Sequence, residues 1–371
     1  MIDAKRLLAD LQGQQRALEN DLREQVRAVA GLREVLEADY RNAREANRTG
    51  DTLNVWSENE ITQAAVAWLL ACVFVRFCED NRLIAAPLLA GPGDGNRRAR
   101  EAAREYFQQH PTDNDRHWLL HAFDQMARYP AVAGLYRKDH NPLYRLPISA
   151  DAATALLSFW QAVDPDSGAL IRDFTDSELD TRFLGDLYQD LSESARKRFA
   201  LLQTPIFVEE FILDRTLDPA IETFGLEHVR MIDPTCGSGH FLLGAFARIN
   251  ALWERQGLEP RERVKRTLAS VYGVDLNPFA VAIARFRLLV VALKATGIGK
   301  LKEAPGWQFN VTTGDSLLHG RRFGELDLGS DDLDTRFAHC FFAEDRAEID
   351  RILGQQYHAV VGNPPYITVK D

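Results

Sequence analysis

From residue 227 to the C-terminus, short β-prone runs alternate with apolar helical runs, and each strand candidate closes on Asp or Asn. The strand candidates are "EHVRMID" (Glu227–Asp233), "SVYGVD" (Ser270–Asp275), "WQFNVTTGD" (Trp307–Asp315) and "YHAVVGN" (Tyr357–Asn363). The helices between them are "FLLGAFARINALW" (Phe241–Trp253) and "PFAVAIARFRLLVVAL" (Pro278–Leu293). Strands alternating with helices predict an α/β fold with a doubly wound, mostly parallel sheet. Such a sheet collects ligands past the carboxyl ends of its strands. The polar motifs of this region all fall on those ends.

The first two hundred residues show no strand alternation. Residues 4–38 predict one long amphipathic helix, with Leu11, Leu18, Leu22, Val29, Leu32 and Leu36 at three- and four-residue steps and Gln15 and Gln25 in the same seam. That seam packs on the chain's own domain or pairs with a second chain. Ile61–Cys78 predicts a buried helix, "GPGDGNRRAR" (Gly91–Arg100) a break, and Ala150–Trp160 and Leu179–Leu202 further helices. The expected organisation is an all-α domain over 1–195 and an α/β domain over 196–371. The longest apolar run, Ala64–Val75, is short of the roughly twenty residues a spanning helix needs. Asp3, Lys5 and Arg6 interrupt any signal-like start. The expectation is a cytoplasmic protein with no membrane partner.

The net charge of −10, from 44 basic and 54 acidic residues, excludes a compact basic nucleic-acid module. It leaves room for an enzyme that meets nucleic acid on one local face. Cys72, Cys78, Cys236 and Cys340 form no CxxC pair and have no histidine cluster at zinc spacing, so no metal is expected. Asp3-Ala4-Lys5 is the one acid-x-Lys triplet, which leaves no PD…(D/E)xK nuclease to assemble.

In "MIDPTCGSGHF" (Met231–Phe241), Asp233 closes the first strand, and Gly237 and Gly239 sit in the turn to the next helix, where a ligand can approach the backbone closely. Neither GxGxxG with a phosphate site nor GxxxxGK[ST] occurs, so a nucleotide phosphate is not the obvious ligand. Asp275 closes the second strand, where such sheets hold a ribose diol. It or Asn277 can equally cap the helix that Pro278 opens. Asp315, in "TGDSLL", can cap the following turn or accept from an adenine amine.

"DPTCGSGHFLLGAF", "YGVDLNPFAVAIARFRL", "GDSLL" and "NPPY", in this order, resemble the S-adenosylmethionine-dependent N6-adenine DNA methyltransferases. Within these they resemble the large restriction-modification type with an N-terminal helical domain. "LLQTPIFVEEFI" (Leu201–Ile212) resembles that family's additional cofactor segment, with Gln203 where the family often has tyrosine. The opening "MIDAKRLLADLQGQQRALENDLRE" and "FVRFCEDNRLI" resemble the methyltransferases of BREX and phage-growth-limitation defence systems. The resemblance implies a Rossmann-like methyltransferase domain with S-adenosyl-L-methionine as cofactor. Thr204 would bind the methionine carboxylate end, and Asp233, Gly237 and Gly239 would shape the methionine pocket. Asp275 would take the ribose hydroxyls, Leu276 would lie against the adenine, and Asp315 would bond its amino group.

Asn363-Pro364-Pro365-Tyr366 carries the chemistry in this reading. The exocyclic amine of adenine is planar and a poor nucleophile. Two acceptors aimed at its N–H bonds, the Asn363 side-chain oxygen and the Pro364 carbonyl, favour the tetrahedral geometry that attack requires. Pro364 and Pro365 fix the turn, and Tyr366 offers a face for a base that has left the duplex stack. A glutamine side chain on protein poses the same problem, so protein-glutamine methylation is the same-chemistry alternative. A non-catalytic cofactor-binding or assembly module is the other. The chain stops soon after the fourth strand, so it is expected to be an N-terminal portion, inactive alone. Its partner, double-stranded DNA, would be read mainly by a target-recognition region further on, and other defence-system proteins are possible partners.

Overall fold

A computed structural model describes residues 4–185, 204–319 and 339–364. Two compact units interleave along the chain. The first comprises 1–37, 53–183 and 298–306, and the second 38–52, 184–297 and 307–371. Two short segments thus cross the expected cut at 195, which itself lies outside the described residues, as does most of the helix expected over Leu179–Leu202.

The first unit begins with α1 (Ala4–Ala28), and α2 (Ala30–Glu45) starts in the first unit and ends in the second, so the long helix expected over 4–38 breaks at Val29. Val29, expected in the seam, is 44% exposed there. Leu11, Gln15, Leu18 and Leu22 are buried, and α1 packs on α3 (Leu53–Asp80). The seam therefore meets the chain's own domain. At its edge, Glu19 accepts from Gln15 and Thr62, and Arg23 grips Glu58 through two bonds of 3.0 and 2.8 Å. The remaining helices are α4 (Gly95–Gln109), α5 (Asp115–Ala127) and α6 (Ala150–Gln161).

The α3 helix is long and apolar enough to cross a membrane, but 94% of its apolar window is buried inside the protein. Trp68, Phe77, Cys72 and Cys78 are all buried on it. Near its end, Arg76 donates to Glu79 at 2.7 Å and Asp80 at 2.8 Å, with all three side chains fully buried. Glu79 accepts the amides of Leu88, Leu89 and Ala90, and Asp80 accepts that of Phe174. The charged letters of "FVRFCEDNRLI" therefore fasten two loops to the core helix. Burial pushes Asp80 up to about 7, although Arg76 and the Phe174 amide pull the other way.

In the second unit, β1 (Met231–Asp233), β2 (Val271–Asp275), β3 (Asn310–Thr313) and β4 (Ala359–Val360) form a parallel sheet in the order β3-β2-β1-β4. The strands are shorter than their sequence runs. Around them lie α7 (Ile206–Phe224), α8 (His240–Arg255), α9 (Pro260–Ser270), α10 (Pro278–Thr296) and α11 (Arg346–Leu353). Successive residues of a strand face opposite sides. Ile232, Tyr272 and Val274 pack with Ile352 of α11, and the backbone of Gly273 lies against Leu242 of α8. Helices thus cover both faces. The strand order reverses between β1 and β4, the place where open α/β sheets form a ligand crevice.

Candidate functional site

The turn after β1 is built to bring its backbone to the crevice. Gly239, at φ 88°, begins α8 in the left-handed region that disfavours a side chain. Arg287 of α10 is buried and donates to the Ser238 carbonyl at 2.8 Å, bracing the turn from behind. The Cys236 amide donates to the Val274 carbonyl, and the Gly237 amide donates to Asp275 Oδ2 at 2.8 Å. Asp275 Oδ1 accepts the Asn277 amide at 2.8 Å, while Asn277 itself caps α10 through the Phe279 amide. So Asn277 is the cap, and Asp275 ties the glycine turn to β2.

Asp233 is buried at the end of β1, where its Oδ1 accepts the Thr235 amide at 3.0 Å. Opposite lies Gly362, at the end of β4. A Cβ at Gly362 would stand 3.0 Å from both Asp233 Oδ1 and Thr235 Oγ1. A side chain there would push the two strand ends apart. The next residue, Asn363, donates from Nδ2 to Thr204 Oγ1 at 3.3 Å. Burial pushes Asp233 up to about 8, with the nearby Asp275 charge adding and the Thr235 bond opposing. Burial also pushes Asp275 up to about 6, against the Asn277 and Gly237 amides. Two carboxyl groups raised by burial at adjacent strand ends make this crevice a candidate functional site.

Asp315 follows β3. Its Oδ1 accepts the Leu317 and Leu318 amides, each at 3.0 Å, so it caps the turn. Ser316 donates to the Pro234 carbonyl at 2.8 Å and joins this loop to the first. Leu276 is 50% exposed and Leu317 95% exposed. The structure therefore brings Thr204, Asp233, Gly237, Gly239, Asp275 and Asn363 to one end of the sheet, with Leu276, Asp315 and Pro364 on the flanking loops. Pro365 and Tyr366 lie outside the described residues.

Sequence reasoning missed Arg287, Ser316 and Gly362. A glycine closing an otherwise β-branched run was the signal for Gly362. Arg287 sits mid-helix in an apolar run and gave none. It also missed a group that the spacing argument could not see. One ring nitrogen of His319, the Cys340 sulfur and a Glu344 oxygen lie within 4.8 Å of one another.

Known proteins resemble this chain in sequence. The Eco57I restriction-modification methylase family matches residues 269–371, and the MmeI DNA-methyltransferase domain matches 222–312. The adenine-specific methyltransferase PglX of Streptomyces coelicolor is 50% identical over an alignment that covers all of this chain. The similarity to PglX runs along the whole of this chain. It spans 32% of that curated relative's own length. The adenine-specific methyltransferase BrxX of Escherichia coli is 31% identical over 67 residues, 18% of this chain and 6% of BrxX. The solved structure titled "cryoEM structure DrdV-DNA complex" gives a TM-score of 0.42 at 14% identity, covering 98% of this chain and 30% of that one. That likeness is too slight to define the fold, which stands here on its own strand order and register.

Proposed function

We propose that this chain carries the cofactor-binding and catalytic crevice of a DNA methyltransferase that moves a methyl group from S-adenosyl-L-methionine to N6 of adenine. The observation that carries the reading is the meeting of Asn363, Thr204, Asp233 and the Gly237–Asp275 pair at neighbouring strand ends. Its similarity to PglX along the whole chain supports adenine as the target and a phage-defence or restriction-modification setting. In this reading the sheet belongs to a Rossmann-like methyltransferase domain.

The residue roles proposed here are those that the resemblance to the N6-adenine DNA methyltransferases implies. The cofactor's methyl group is electrophilic because it sits on a sulfonium, so this chain's task is to orient and to solvate the nucleophile correctly. Asp275, already aimed at the glycine turn, takes the ribose hydroxyls with its remaining lone pairs. Leu276 packs on the cofactor adenine, and Asp315 accepts from its amine. Thr204 and the glycine turn hold the methionine end. Asn363 Nδ2 bonds to Thr204, which leaves Oδ1 as the acceptor for the target amine. The Pro364 carbonyl is the second acceptor, and Tyr366 stacks on the extruded base. Acceptors placed for the developing charge act on the transition state rather than on binding. The amine sheds its proton after transfer, so no general base with a tuned pKa is needed.

Two measurements test this. Asp275→Ala should weaken S-adenosylmethionine binding to the chain by about 1–3 kcal/mol in calorimetry. Unchanged affinity refutes the ribose assignment. Asn363→Ala should abolish transfer of tritiated methyl to DNA and leave cofactor affinity nearly intact. Retention of more than about a tenth of the rate, or N4-methylcytosine in the product, refutes the assignment of Asn363 or of adenine.

A further inference from the structure

The strongest unexplained cluster is His319, Cys340 and Glu344. They lie in the second unit, just beyond the Asp315 turn and just before α11. His319 is 4% exposed, and its Nε2 is buried without a hydrogen-bond partner among the described residues. Glu344 is also 4% exposed, and Cys340 is a free, half-buried thiol. A buried imidazole nitrogen with no partner is costly to keep, and a thiol and a carboxylate stand beside it. We infer that His319, Cys340 and Glu344 form a binding site for a transition-metal ion, with Zn²⁺ the best match to one nitrogen, one sulfur and one oxygen donor.

Donors on a tetrahedral zinc lie roughly 3.3–3.8 Å apart. Closing the present spread of up to 4.8 Å takes about 1 Å of side-chain movement. Among the described residues two guanidinium groups bond the proposed donors themselves, Arg48 to Glu344 and Arg346 to His319 Nδ1 and the Cys340 sulfur, and an ion would have to displace the Arg346 contacts. Arg48 lies 3.2 Å from Glu344 and also donates to the His339 carbonyl at 2.8 Å. Arg346 lies 3.4 Å from His319 Nδ1 and 2.8 Å from Asp350. The Phe341 amide donates to Glu344 Oε2 at 2.8 Å and orients that carboxylate. Binding breaks the Cys340 S–H bond, forms the metal–sulfur bond and sends the proton to solvent. The thiolate and the Glu344 carboxylate then balance the two charges of the ion, and Arg48, which shares Glu344, leaves the group with one net positive charge. His319 presents Nε2 and carries its proton on Nδ1, giving up the long Arg346 contact. A fourth position is left to solvent.

The consequence reaches the crevice. The His319 amide donates to the Asp315 carbonyl at 2.9 Å. An ion on His319, Cys340 and Glu344 would therefore fasten the Asp315 turn to the segment that enters α11. Its role is structural, and it does not depend on the methyltransferase reading.

The test uses the 371-residue chain, metal-stripped and reduced, titrated with Co²⁺ as a spectroscopic probe and then with Zn²⁺. One equivalent of Co²⁺ should produce a thiolate-to-metal charge-transfer band, and Zn²⁺ should displace it. Cys340→Ser should remove the band, and His319→Ala should weaken Co²⁺ binding at least about tenfold. Circular dichroism confirms that each variant folds. Cys72→Ser or Cys236→Ser, both outside the cluster, should leave the band unchanged. A band that survives Cys340→Ser, or no band at one equivalent of Co²⁺ in the folded wild-type chain, overturns the inference.

Discussion

Asp233→Asn should make the protein more stable, increasingly so as the pH rises, while damaging its site. Asp233 is 1% exposed, and burial raises its pKa from 3.8 to about 8. Between those values the folded chain holds a proton that the unfolded chain releases. Stability from this group is complete below pH 3.8 and lost as the pH climbs through about 8. One proton corresponds to about 1.4 kcal/mol per pH unit. At pH 7 the penalty relative to a neutral side chain of the same shape is therefore up to about 4 kcal/mol. Asparagine keeps the acceptor for the Thr235 amide and removes the proton term. Burial also raises Asp80 and Glu209, which slope both proteins alike, and Asp275, whose charge acts on Asp233, so the difference reports Asp233 together with its coupling to Asp275. In urea unfolding of wild type and variant, the gap should widen by about 3 kcal/mol from about pH 5.5 to about pH 7.5. If Asp233 shapes the cofactor pocket as proposed, cofactor affinity should fall at the same time, stability gained at the expense of the site. A gap that stays flat with pH, or a variant less stable than wild type at the alkaline end, refutes the reasoning.

Arg76→Met should cost about 3–5 kcal/mol, because Glu79 and Asp80 lose their buried cation. Thermal unfolding reads it, and a loss under about 1 kcal/mol would mean that the loop amides alone hold these carboxylates. Gly362→Ala should cost about 1–3 kcal/mol by forcing a methyl against Asp233 and Thr235. The same variant should weaken S-adenosylmethionine binding in calorimetry, and unchanged stability and affinity together would show that the two strand ends yield freely.

The local signals were readable from the chain itself. Apolar runs that alternate with polar closures fix which segments become strands and helices, because burying a strand or a helix face requires that periodicity. Hence the four strand cores, the Asn277–Pro278 helix start and the acids at the strand ends all lie where the sequence put them. The break at Val29 was hidden, since a seam can run straight through a residue whose exposure depends on what packs beside it. Likewise the letters Arg76, Glu79 and Asp80 read as one helix's ordinary charges until two distant loops supply their amides. Whether Asp275 binds the glycine turn, whether Asn363 meets Thr204, and whether His319 meets Cys340 are decisions of tertiary structure alone. Periodicity reports which face of an element is buried. It carries no information on which residue, far away in the chain, the fold will set against that face.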